Sequence, residues 1–148
     1  MSNQNSIHVG DQLGPFEYTI TEEMADIHIA AINNRDPLFR DSSSDGRRMV
    51  PPCFTAQDYV YLLVQKGIWG SGGIHTNQES EFYNPGHIGQ RVVCSGKIAE
   101  RYVQKGKNYL VIEYQIDEIN GVPIAKHRFT AQIFKNKKVK DSEGTQEG

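Results

Sequence analysis

Hydrophobic positions change period several times along this chain. "FEYTI", Phe16 to Ile20, alternates apolar and polar and predicts a short strand. Met24, Ile27 and Ala31 then recur at helical spacing and predict a helix to about Ile32, ended by Asn33 and Asn34. Thr21 can cap it, with Glu22 and Glu23 well placed in the first turn. "FTAQDYVYLLVQKG", Phe54 to Gly67, predicts the strongest helix, since two prolines precede it and a glycine ends it. Its middle, "YVYLLV", is apolar nearly all round and must be covered on most sides. In a chain this small the natural cover is a sheet that wraps it.

Four strands are expected after that helix. The first is Ile74 to Tyr83, ended by Asn84, Pro85 and Gly86. The second is Arg91 to Val103, interrupted by Gly96. The third is Tyr109 to Asp117, where Leu110, Ile112, Tyr114 and Ile116 share a face. The fourth is Pro123 to Phe134, where Ala125, His127, Phe129, Ala131 and Ile133 do so. "KGK" at 105 to 107 and "NG" at 120 to 121 are turn signals, so the last three strands form an antiparallel meander. Residues 33–53 read as a long loop, the kind that carries function. The fold class is α+β, with a hot-dog architecture of one long helix wrapped by an antiparallel sheet. An α+β roll with another strand order gives the same pattern. One domain is expected over 8–134, with flexible termini at 1–7 and 135–148.

Composition narrows the function classes. The 148 residues carry 23% charged and 37% hydrophobic side chains, values ordinary for a globular protein. A net charge of -2 offers no strongly basic face, so no nucleic-acid partner is expected. The basic run Lys135 to Lys140 reads as a solvated tail. Neither Cys53 nor Cys94 has a second Cys or a His at metal-ligand spacing, and no metal or cofactor is expected. No apolar leader and no run of about 18 apolar residues is present, so no membrane association is expected and a cytoplasmic location is the default.

Several stretches point to one family. They are "AAINNRDPLFRD", "VPPCFTAQ" ahead of the long helix, "IHTNQESEFYNPGHIGQRV", and a meander ending in "AKHRFTAQIF". Together they cover about residues 8–134, and on them the chain resembles the MaoC-like hot-dog hydratases and dehydratases, in particular the FAS1-like dehydratase domain. The resemblance implies an acyl thioester of coenzyme A or of acyl carrier protein as substrate. Water is added to a trans-2-enoyl group or removed from a 3-hydroxyacyl group. Catalytic members carry a loop of the form G-D-x-N-P-[LI]-H-x-D. An anionic Asp and a titratable His handle the protons, and a backbone N–H at a helix N-terminus holds the thioester oxygen.

Laid on that loop, this chain departs from it at both proton-handling positions. The family glycine falls on Asn33 and the catalytic aspartate on Asn34. The family asparagine falls on Asp36, the proline on Pro37, the aliphatic position on Leu38, and the trailing aspartate on Asp41. The catalytic histidine falls on Phe39, which cannot transfer a proton, and asparagine cannot take one from water. Asp36 and His75 are the replacement acid/base candidates, each with an alternative: a turn for Asp36 and a structural, singly bonded histidine for His75. Asp41 reads as turn, Gln78 and Glu79 as sheet, and His87 as loop. His28 belongs to the first helix, and His127 reads as a satisfied core or interface histidine. The resemblance places Asn34, Phe39, Pro52 and Phe54 on the substrate side. Arg47 and Arg48 either meet coenzyme A phosphates or sit in a solvated loop.

Three functions compete. The first is an acyl-thioester-binding subunit that relies on the Asp/His loop of a second hot-dog chain. The second is a self-sufficient hydratase or dehydratase using Asp36 and His75. The third is a thioesterase or acyl-CoA-binding module, for which Asp58 is the acid near the helix start. All three predict association into at least a dimer, with an identical or a different hot-dog partner.

Overall fold

The computed structural model describes residues 7–41, 46–68 and 72–134. The tail segments expected at 1–6 and 135–148, the basic run among them, lie outside the described residues. The chain runs through β1 (Gln12–Thr19), α1 (Glu22–Ala31), the single turn α2 (Pro37–Arg40), a 3-10 segment (Pro52–Asp58), α3 (Tyr59–Lys66), β2 (Gly73–Phe82), β3 (Arg91–Gln104), β4 (Lys107–Glu118) and β5 (Pro123–Ile133). The five strands form one sheet in the order β1-β3-β4-β5-β2, antiparallel throughout. This is the hot-dog arrangement, with the last three strands in the expected meander.

Local chemistry explains the element ends. The Thr21 hydroxyl accepts from the Met24 amide at 3.2 Å and starts α1. Gly67, at φ 78°, ends α3, where its amide bonds back to Val64. The β3–β4 hairpin turns through Lys105 and Gly106, both at positive φ. On β4, Leu110, Ile112, Tyr114 and Ile116 are buried as their alternation predicts, and Leu62 and Leu63 of α3 join them in the core.

Five expectations are corrected. The long helix is not α-helical from Phe54; its first half is 3-10, where Thr55, Ala56 and Asp58 are each drawn to a different strand. Nor is that helix covered on most sides. Leu62 and Leu63 face the sheet, while Tyr61 and Val64 stay 60% and 54% exposed, because one sheet covers only one side. The loop at 33–53 contains a helical turn, α2, seeded by Pro37 and capped by Asp36. Ile7, assigned to the tail, is buried in the core. Gly96 does not interrupt β3: it pairs with Tyr114 in an unbroken ladder, and the register shift falls at Ile98/Glu100.

Gly96 has a steric role instead. A Cβ there would lie 2.4 Å from the Glu113 carbonyl and 2.9 Å from the Tyr114 Cβ. Gly96→Ala is therefore expected to lower stability by about 1–3 kcal/mol, the usual cost of overpacking. Thermal unfolding followed by circular dichroism checks this; a melting temperature equal to wild type would show that the strands give way freely.

Candidate functional site

Three polar bonds fix the segment that leads into α3. Thr55 Oγ1 lies 3.0 Å from His127 Nε2 on β5. The Tyr114 hydroxyl of β4 donates to the Ala56 carbonyl. The Tyr18 hydroxyl of β1 donates to Asp58 at 2.7 Å. His127 is bonded on its other side too, with Nδ1 2.8 Å from Ser80 Oγ on β2. Gln78 Nε2 donates to the Tyr114 hydroxyl at 3.3 Å. Asp58 is 4% exposed and His127 is 1% exposed, so the carboxyl and the imidazole of this network are shielded from solvent.

Burial sets the charges here. It pushes the Asp58 carboxyl up to about 7, against the lowering pull of the Tyr18 hydrogen bond. It pushes the Tyr18 hydroxyl far up, helped by the Asp58 charge, so Tyr18 remains the donor. It lowers His127 to about 4, leaving the imidazole neutral at neutral pH.

Beside this segment an apolar cleft of about 430 Å³ opens between α3 and the sheet. Its walls include Tyr59, Leu63, Leu110, Phe129 and Ile133, with His75 at its β2 side. Tyr59 stacks on Phe129 at 4.1 Å, and the His75 ring stands edge-on to both, 4.4 Å from Phe129 and 5.8 Å from Tyr59. The size and lining suit a small apolar group. Asp58 is not among the lining residues.

The 33–41 loop forms a separate cluster. Asn34 Oδ1 accepts from the Asp36 amide at 2.9 Å, and Asp36 Oδ1 caps α2 through the Leu38 amide at 3.0 Å. Phe39 is half-buried, and its carbonyl accepts from Arg48 Nε at 2.7 Å. The Arg48 guanidinium also reaches Asp26 at 2.7 Å and Glu22 at 3.8 Å on α1. Its charge is thus engaged in fastening the loop to α1, and meeting a phosphate would require releasing Asp26. Arg47 is exposed next to it. Pro52 is exposed at the start of the 3-10 segment, and Phe54 is half-buried against His28. Asp36 and His75 therefore sit in two different clusters, one shaping the loop and the other on the cleft wall.

His127, expected as a satisfied core or interface histidine, is buried with both ring nitrogens bonded. The roles of Tyr18, Thr55, Ser80 and Tyr114 leave no local signal in the sequence. Strand alternation placed Tyr114 on the inner face, but nothing in the pattern told where its hydroxyl would go. His87, expected in a loop, lies in one but is buried, bridged to Met49.

Residues 7–127 match the family model described as the FAS1-like dehydratase domain region. The chain belongs to that family. Solved structures agree on the fold. The (R)-hydratase from A. caviae involved in PHA biosynthesis is 16% identical, over 87% of this chain and 98% of that one, with a TM-score of 0.71. The MaoC-like dehydratase from Rhodospirillum rubrum is 17% identical, over 89% and 96%, at 0.69. One chain of the HadBC (3R-hydroxyacyl-ACP dehydratase) complex from Mycobacterium tuberculosis is 15% identical, over 84% and 96%, at 0.71. The fold is thus that of the MaoC-like hot-dog proteins. No curated protein sequence matches the chain. No helix among the described residues is long and apolar enough to cross a membrane.

The buried carboxyl gives a pH test. Asp58 rises from an ordinary 3.8 to about 7, so between those values the folded state binds the extra proton. Stability drawn from this group is therefore greatest at low pH and falls as pH climbs through the window. Asp58→Asn keeps an acceptor for Tyr18 and removes the titration. Its stability relative to wild type is expected to increase from pH 4 to 7 and to level off above. Denaturant titrations of both proteins across that range check this, and parallel curves would show that Asp58 does not titrate there.

Proposed function

We propose that this chain is the acyl-thioester-binding member of a MaoC-like enoyl hydratase or 3-hydroxyacyl dehydratase, and that it draws its proton chemistry from a second hot-dog chain. The observation that carries the reading is the pair Asn34 and Phe39, which stand where the family's loop needs an acid/base pair. Neither side chain can move the required protons. The rest of the loop is spent on its own shape, with Asn34 and Asp36 bonding loop amides. The apolar cleft beneath α3 would take the acyl chain.

Two further features support a partner. β2 is an edge strand exposed along most of its length, and Ile74, Phe82 and Tyr83 are each about half exposed on it or just beyond it. Tyr61 and Val64 leave the outer side of α3 apolar and open. A similar protein, HadBC, is by name a complex of two chains. The partner of this chain is accordingly a catalytic MaoC-like chain, and the ligand an acyl-CoA or an acyl-carrier-protein thioester.

One observation favours a second reading. His75 lies on the cleft wall, where it could move a proton in a self-sufficient enzyme. Hydration of a trans-2-enoyl-CoA, followed by loss of enoyl absorbance, separates the two. The expected outcome is no turnover by the pure protein and turnover once a MaoC-like chain carrying the Asp/His loop is added. Turnover by the pure protein that falls ~100-fold or more in Asp36→Asn or His75→Ala would establish the second reading instead.

A further inference from the structure

Away from the cleft, the structure pairs a nucleophile with a base. Cys53 Sγ lies 3.6 Å from His28 Nε2, within reach of an S–H···N bond. Cys53 directly follows Pro51 and Pro52 in the first turn of the 3-10 segment and is exposed, whereas His28 on α1 is only 9% exposed. Phe54 stands edge-on to the imidazole at 5.4 Å and holds its plane. Neither residue lines the cleft. Burial lowers the His28 pKa, so the resting ring is neutral and the imidazolium formed on taking the thiol proton is short-lived. The second cysteine offers a sharp contrast: Cys94 is fully buried and burial pushes its thiol far up, so it is inert.

We propose that Cys53 and His28 form a nucleophile–base pair that makes Cys53 an acyl-acceptor thiol for acyl thioesters. This rests on the thioester reading only for the identity of the donor. His28 Nε2 takes the thiol proton, which requires its Nδ1 to carry the ring hydrogen. The Cys53 thiolate attacks the thioester carbonyl and a new C–S bond forms. The tetrahedral adduct collapses, the original C–S bond breaks, and the leaving thiolate takes the proton back from His28. The products are S-acyl-Cys53 and the free thiol, with no oxidant or further reactant needed.

The test has an arm that involves no thioester. Iodoacetamide is added to the full chain at pH 7, and alkylation is read by peptide mass. Cys53 is expected to react ~10-fold or more faster than N-acetylcysteine, with Cys94 unmodified, and His28→Gln to bring the rate within ~2-fold of the free thiol. Incubation with butyryl-CoA is then expected to place one butyryl group on Cys53, releasing one CoA thiol, and to place none in Cys53→Ser. Alkylation no faster than N-acetylcysteine overturns the proposal without reliance on any variant. So does a butyryl group that appears elsewhere, or that appears equally fast in His28→Gln. Calorimetric binding of butyryl-CoA to Cys53→Ser reports on the thioester-binding reading separately: binding without acylation of wild type sinks only the acyl-acceptor role.

Discussion

The architecture depends on how one short segment is held. Pro52–Asp58 feeds the central helix, and within four residues it is tied to three strands, by Thr55 to β5, Ala56 to β4 and Asp58 to β1. Each such bond contributes on the order of 1 kcal/mol net, and more would be lost if one partner were left buried and alone. The tethers act together with the apolar packing of Leu62 and Leu63, which by itself is non-directional. Burial brings the helix to the sheet, and the polar bonds fix where along the sheet it begins. The cleft takes its shape from that position, because Tyr59 follows directly after Asp58 and stacks on Phe129.

The same arrangement leaves an asymmetry. Leu62 and Leu63 pack into the core on the sheet side of α3, while Tyr61 and Val64 on the far side stay largely exposed. Tyr61 and Val64 project away from the core, and β2 ends the sheet with unpaired backbone beside the cleft that His75 flanks. This hot-dog unit thus leaves two borders uncovered, the β2 edge and the outer side of α3. The proposed reliance on a second chain follows from that incompleteness as well as from the chemistry missing at Asn34 and Phe39.

How much of this was legible in the sequence depends on the range of each interaction. Period-2 alternation at Leu110, Ile112, Tyr114 and Ile116, helical spacing in α1 and the Thr21 cap are local, and strands and turns were read from them with small errors at the ends. The Asn34 and Phe39 substitutions were visible because the family loop is a local motif. What stayed hidden was non-local. The bonds of Tyr18 to Asp58 and Thr55 to His127 join residues 40 and 72 positions apart, and polar partners at such separations leave no periodic trace. The 3-10 winding of Pro52–Asp58 was missed for that reason. Gly96 was read as a break because glycine often is one, whereas its cause is the close approach of the Glu113 carbonyl and of Tyr114 on the next strand.

Arg48 carries one more consequence. It donates to the Phe39 carbonyl and holds Asp26 and, more distantly, Glu22, so a single cation couples a loop to a helix. In mechanical terms it is a latch, with one strong catch at Asp26 and one weak one at Glu22. A ligand phosphate that captured this guanidinium would open the latch in the act of binding. Anion arrival and loop release would then be one event.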